Sequence, residues 1–180
     1  MKPQRIEKYT FSAKDDLLLD ANIWLFLYCP HGDPQAHGPV VYSAAFKSIV
    51  SAKSKIYVTS TVLGEFVNRY CRLAHALLVA RGAAPEEFKD FRRTVLFKPV
   101  AKAVADAGTR VLKDASPIDD DFAALDVARI LTDFEGGRHD FNDLLIAEVC
   151  RKDSLTLVTD DEDFSAQGVE ILTANALLTT

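Results

Sequence analysis

Five acidic residues fall where an α/β chain can do chemistry. Asp20 closes the apolar run LLL at 17–19, and Asp161 and Asp163 lie just past LTLV, within TDDEDF (159–164). Short apolar runs of this kind read as buried parallel strands. In open α/β sheets the carboxyl ends of the strands form the crevice where ligands bind. If the two runs are neighbouring strands, Asp20 and Asp161 emerge at one edge. Glu65 lies about one turn into a helix predicted from Thr61 to Ala80, after the strand KIYVT (55–59), and so falls near the same edge. Asp143 opens a helix predicted from Asp140 to Arg151. Its stripe neighbours Ile146, Ala147 and Cys150 are apolar, so its carboxylate should face inward, where a charge needs a partner.

Each acid has an ordinary reading as well. Asp20 can cap a short helix at 22–28, and TDDEDF can be a solvated turn. Glu65 can pair with Arg69 at i,i+4 for about 0.2–0.5 kcal/mol. Asp140 can cap its helix, with Asp143 held by the helix dipole. Taken together the spacings say more than any one acid. Two unit charges 4 Å apart repel by about 4 kcal/mol at an effective dielectric near 20. Converging carboxylates must therefore protonate, separate or bind cations. Hard oxygen donors with open positions suit Mg²⁺ or Mn²⁺. The four histidines (His31, His37, His75, His139) form no HxxxH or HxH, and no cysteine pair has zinc spacing.

The elements that must position these acids alternate between strand and helix. Strands are expected at 17–20, 55–59, 155–159 and 169–172, and helices at 22–28, 40–52, 61–80, 119–134 and 140–151. Further helices should lie at 85–115, bounded by Pro85 and Pro99. CPHGDPQAHGP (29–39) reads as a loop. In the 61–80 helix, Val62, Leu63, Phe66, Val67, Tyr70, Leu73 and Leu77 form the apolar stripe. The pattern predicts an α/β fold, a three-layer sandwich with a mostly parallel central sheet and helices on both faces. One domain over 1–180 is expected, with an N-terminal extension at 1–16 and a basic helical region at 81–115.

Composition narrows the class. With 48% hydrophobic and 26% charged residues, the 180-residue chain is neither disordered nor membrane-spanning. There is no apolar h-region at the start, and Cys29, Cys71 and Cys150 are odd in number and widely spaced. Both features point to free thiols in the cytoplasm. The net charge of −5 is uneven: residues 1–80 carry +3, 81–113 carry +4 and 114–180 carry −12. A basic rim beside an acidic centre is the expected layout.

The pieces LLLDANIWL (17–25), VTSTVLGEF (58–66), FNDLLIAEVC (141–150) and LVTDDEDF (157–164) resemble the PIN-domain nucleases, particularly the toxin members of bacterial type II toxin–antitoxin pairs. The resemblance matches Asp20 and Asn22, Glu65 after Ser60, Asp143 before an aliphatic-Ile-Ala run, and Thr159, Asp161, Asp163 and Phe164. It implies metal-dependent hydrolysis of RNA phosphodiesters. Asp20, Glu65, Asp143 and Asp161 would then be the catalytic acids. Asp20, Asp143, Asp161 and Asp163 would be the ligands of Mg²⁺ or Mn²⁺, with Asn22 and Thr159 in support.

The basic residues Arg69, Arg72, Arg92 and Arg93, with Arg81, Lys89, Lys98 and Lys102, are candidates for holding RNA phosphates. A small antitoxin protein and a homodimer are partners the resemblance implies, and no membrane is expected. Two alternatives remain: a silent PIN-fold module acting by protein or RNA binding, and a Mg²⁺-dependent phosphohydrolase with an aspartyl nucleophile. The latter wants Asp-x-Asp, where this chain has Asp20-Ala21-Asn22.

Overall fold

The computed structural model describes residues 2–179. In chain order its strands are β1 (Gln4–Arg5), β2 (Asp16–Leu19), β3 (Lys55–Val58), β4 (Ser116–Pro117), β5 (Thr156–Val158) and β6 (Ile171–Thr173). Its helices are α1 (Ala21–Tyr28), α2 (His37–Ala52), α3 (Ser60–Ala80), α4 (Phe88–Phe91), α5 (Phe97–Asp114), α6 (Val127–Glu135) and α7 (Phe141–Asp153).

The strands form one sheet in the order β1-β6-β5-β2-β3-β4, every pair parallel. Helices cover both faces, as the strand–helix alternation predicts. β2 is central because Leu17, Leu18 and Leu19 are all fully buried, and only a strand covered on both faces can bury consecutive side chains. The chain leaves β2 toward β3 and β4 on one side and later returns to build β5 and β6 on the other. The strand order therefore reverses beside β2, and the crevice of an open sheet opens at such a reversal.

The structure departs from expectation in ways that have physical causes. Pro39 and Pro99 lie inside the first turns of α2 and α5 instead of outside them. The first four N–H groups of a helix have no intrahelical partner, so a proline there forfeits nothing. The 29–39 loop accordingly ends at Ala36, and Pro99 bounds no helix. The helix expected from 119 starts at Val127, where the Asp126 carboxylate caps the Arg129 N–H. It stops at Gly136-Gly137 as expected.

Two strands fall outside the expected set: β1 lies in the stretch read as an extension, and β4 lies between the helical region that ends at 115 and the helix expected from 119. On α3, Val62, Phe66 and Tyr70 are buried as expected, but Leu73 is 43% exposed and Cys71, Ala74 and His75 are buried instead. The far half of α3 turns a different face inward because it packs on the segment after it. There His75 Nε2 lies 2.7 Å from the Pro85 carbonyl, and the imidazole stacks on Phe91.

The main core joins the sheet to α1, α2, α3, α5 and α7, while a smaller cluster of Ile130, Leu144 and Leu145 fixes α6 on α7. Cys29, Cys71 and Cys150 are free thiols.

Candidate active site

The site is built on the β2–α1 junction. Asp20 leaves β2, caps α1 and is only 3% exposed. Its Oδ1 accepts the Ala21 N–H at 2.6 Å, and its Oδ2 accepts the Asn22 amide at 2.5 Å and the Thr159 hydroxyl at 2.7 Å. Asp20 thus caps α1 while its other oxygen reaches the loop after β5. Thr159 Oγ1 in turn accepts the Asp161 N–H, and Asn22 Oδ1 accepts the Asp160 N–H. One network ties the end of β2 to the loop after β5, which is the juxtaposition the two apolar runs predicted.

Burial pushes the Asp20 carboxyl up to about 6, with the charges of Glu65 and Asp161 adding to the rise against the Thr159 hydrogen bond. Asp143, in the first turn of α7, is pushed up to about 8, first by burial and then by Asp20, Asp161, Asp140 and Glu65. These shifts express the convergence: four acids from four separate segments lie within reach of one another's fields. Glu65 alone among them holds a cation, Arg69 at 3.0 Å, so its expected surface pair forms while its charge still reaches the cluster. Asp140 caps α7 through the Asn142 N–H. Asp161 caps the 3₁₀ turn Glu162–Phe164 through the Asp163 N–H, and the exposed Asp163 lines a recess with Arg138 and His139.

Of the four arginines proposed for RNA, Arg69 touches the acids. Arg72 lies over the Phe88 ring, Arg92 over the Phe97 ring, and Arg93 reaches Asp90 at 3.4 Å. Trp24 packs in the core, fully buried.

Two supports left no sequence signal. The buried Tyr42 hydroxyl donates to Asp160 Oδ1 at 2.8 Å, lies 3.0 Å from the Thr159 carbonyl and accepts the Ala174 N–H. It thereby holds the loop that carries Asp161. Asp120 accepts from Ser60 Oγ and from the Thr61 N–H and hydroxyl, anchoring the start of the helix that carries Glu65. Both act across more than fifty residues of chain.

Among the described residues no set of three His, Cys, Asp or Glu side chains is already drawn into a metal-holding arrangement. The donor set nonetheless fits a hard divalent cation. Asp20, Asp143 and Asp161 form no ion pair among the described residues, and the repulsion that raises Asp143 is what a dication would relieve.

A parallel sheet with carboxylates gathered where its strand order reverses defines an α/β protein with an acidic crevice. The PIN domain family model matches residues 17–169, and the chain belongs to that family. PIN domains are generally metal-dependent nucleases. No curated protein matches the chain. Among the described residues no helix is long and apolar enough to cross a membrane.

Proposed function

We propose that this chain is a Mg²⁺- or Mn²⁺-dependent endoribonuclease of the cytoplasm. We further propose that it serves as the toxin of a toxin–antitoxin pair whose small partner protein covers the acidic crevice. The observation that carries the nuclease reading is the convergence on Asp143 of acids from separate segments: burial first, and then Asp20, Asp161, Asp140 and Glu65, push its carboxyl up to about 8. A fold that only needed a cap there would have no use for so unfavourable a charge.

Asp20, Asp143 and Asp161, with Glu65, are the residues that would hold the cation. When bound, it lowers the pKa of an attacking water and stabilises charge on the phosphate and the leaving oxygen. The chain's own groups do the rest. Asn22 and Thr159 fix the orientation of Asp20 through its Oδ2. Tyr42 and Asn175 pin the Asp160 segment, Asn175 donating to the Asp160 carbonyl at 2.8 Å. Arg69 limits the charge on the Glu65 side. Asp163, exposed on the next turn, would reach the cation through water.

Single-stranded RNA should be cleaved with Mn²⁺ or Mg²⁺, and EDTA should stop cleavage until the cation is restored. Cleavage at full rate in EDTA would overturn the metal assignment. Affinity for RNA should fall steeply with salt. Replacing both Arg92 and Arg93 with alanine should reduce the slope by about 1–2 units; an unchanged slope removes them from the RNA surface.

A further inference from the structure

Between α1, α3 and α5 lies a groove of about 790 Å³ that the acids themselves do not fill. That volume is within the range of about 300–1,000 Å³ typical of small-molecule sites. Two of its lining residues touch the acid cluster: Asn22 donates to Asp20, and Arg69 donates to Glu65. The groove thus borders the crevice. Its walls are largely apolar and include aromatic rings. Phe26 lines it, half-buried and stacked on Tyr42, and His31 meets Tyr70 edge-on at 5.4 Å. Arg110 also lines it, with its guanidinium 4.1 Å from the centre of the Tyr28 ring, and it forms no ion pair among the described residues.

We propose that this groove seats a nucleotide flanking the scissile phosphate of single-stranded RNA. The base lies against Phe26 and His31, and Arg110 neutralises a phosphate. This rests on the ribonuclease reading and adds where a nucleotide of the substrate lies. Flat apolar walls suit the face of an unstacked base, and every base has such a face. A duplex keeps its bases stacked and cannot present one. The crevice is anionic, so a polyanion needs a cationic anchor beside it; Arg69 is held by Glu65, and of the acids lining the groove Asp106 is held by Lys102 and Asp33 caps the Gln35 N–H, which leaves Arg110 as the anchor. A peptide is the competing occupant; it would leave RNA binding independent of the groove.

The test uses a fluorescein-labelled single-stranded RNA octamer in EDTA at low salt, read by anisotropy. Two variants keep it decisive: Arg110→Ala removes the anchor, and Ala103→Trp fills the groove from an exposed position on α5. Circular dichroism confirms that each is folded. Both should bind about tenfold more weakly than wild type, a loss of the size a single stacked base or anchored phosphate provides. A 4-thiouridine version of the octamer should photo-crosslink to the peptide spanning residues 25–36.

Unchanged affinity in both folded variants, or crosslinks confined to other segments, would overturn the proposal. Groove-dependent binding by a wild type that cleaves nothing with Mn²⁺ would instead remove the ribonuclease reading and leave the groove standing. Cleavage by wild type, with both variants binding normally, would do the reverse.

Discussion

Asp143 and Glu148 share α7, five residues apart, and the fold treats them in opposite ways. Glu148 accepts from Arg129 at 2.6 Å and from Arg151, so two cations from two helices serve one carboxylate. Asp143 sits among Asp20, Asp161, Asp140 and Glu65 and forms no ion pair among the described residues. The C-terminal part of α7 shows that this chain can pair its acids where pairing only steadies a helix. At the N-terminal end it gathers charges of one sign, which costs stability and prepares a place for a dication. Composition treats the two residues alike; their surroundings separate them.

The comparison breaks most visibly in activity. Asp143→Asn or Asp20→Asn should lower RNA cleavage by more than about 100-fold, since even outer partners of a metal site are worth roughly 10–100-fold. Glu148→Gln should cleave within about twofold of wild type, as expected for a surface change remote from the chemistry. Equal losses in Asp143→Asn and Glu148→Gln would erase the distinction.

Stability gives the next largest effect, with the opposite sign. The Asp143 carboxyl titrates near 8 in the folded protein and near its ordinary 3.8 when unfolded, so the folded state binds the extra proton between those values. Metal-free protein should therefore lose stability as pH rises from about 4 to about 8. Asp20, raised to about 6, adds to the fall over the lower part of that window. Asp143→Asn should flatten the profile and raise Tm at pH 8 by about 2–4 °C. A melting series across that pH range, with and without Mn²⁺, reads this directly; a mutant that melts lower at pH 8 would contradict it. Smallest is the cost at the paired end. Glu148→Gln should destabilise by about 0.5–1 kcal/mol in urea.

Much of the site was legible because it is local. Asp20, Glu65, Asp143 and Asp161 each stand at a short offset from the end of a strand or the start of a helix, and hydrophobic pattern locates those ends. The parallel sheet followed from the same pattern. What stayed hidden depends on partners distant in sequence. β1 and β4 are two residues each, too short for any period, and exist because β6 and β3 offer them hydrogen bonds. Tyr42 and Asp120 look like any helix tyrosine or loop acid until the fold carries them to Asp160 and Ser60. Leu73 fitted the helical period, but α3 changes packing partners along its length.

The two short margins of the sheet have a consequence of their own. A long bare strand edge invites a second chain to zip on and can seed aggregates. Here β1 and β4 each present only two residues, and Pro117 withholds one donor altogether. The interior strands can be as apolar as Leu17, Leu18 and Leu19 require without offering neighbouring copies a template for growth.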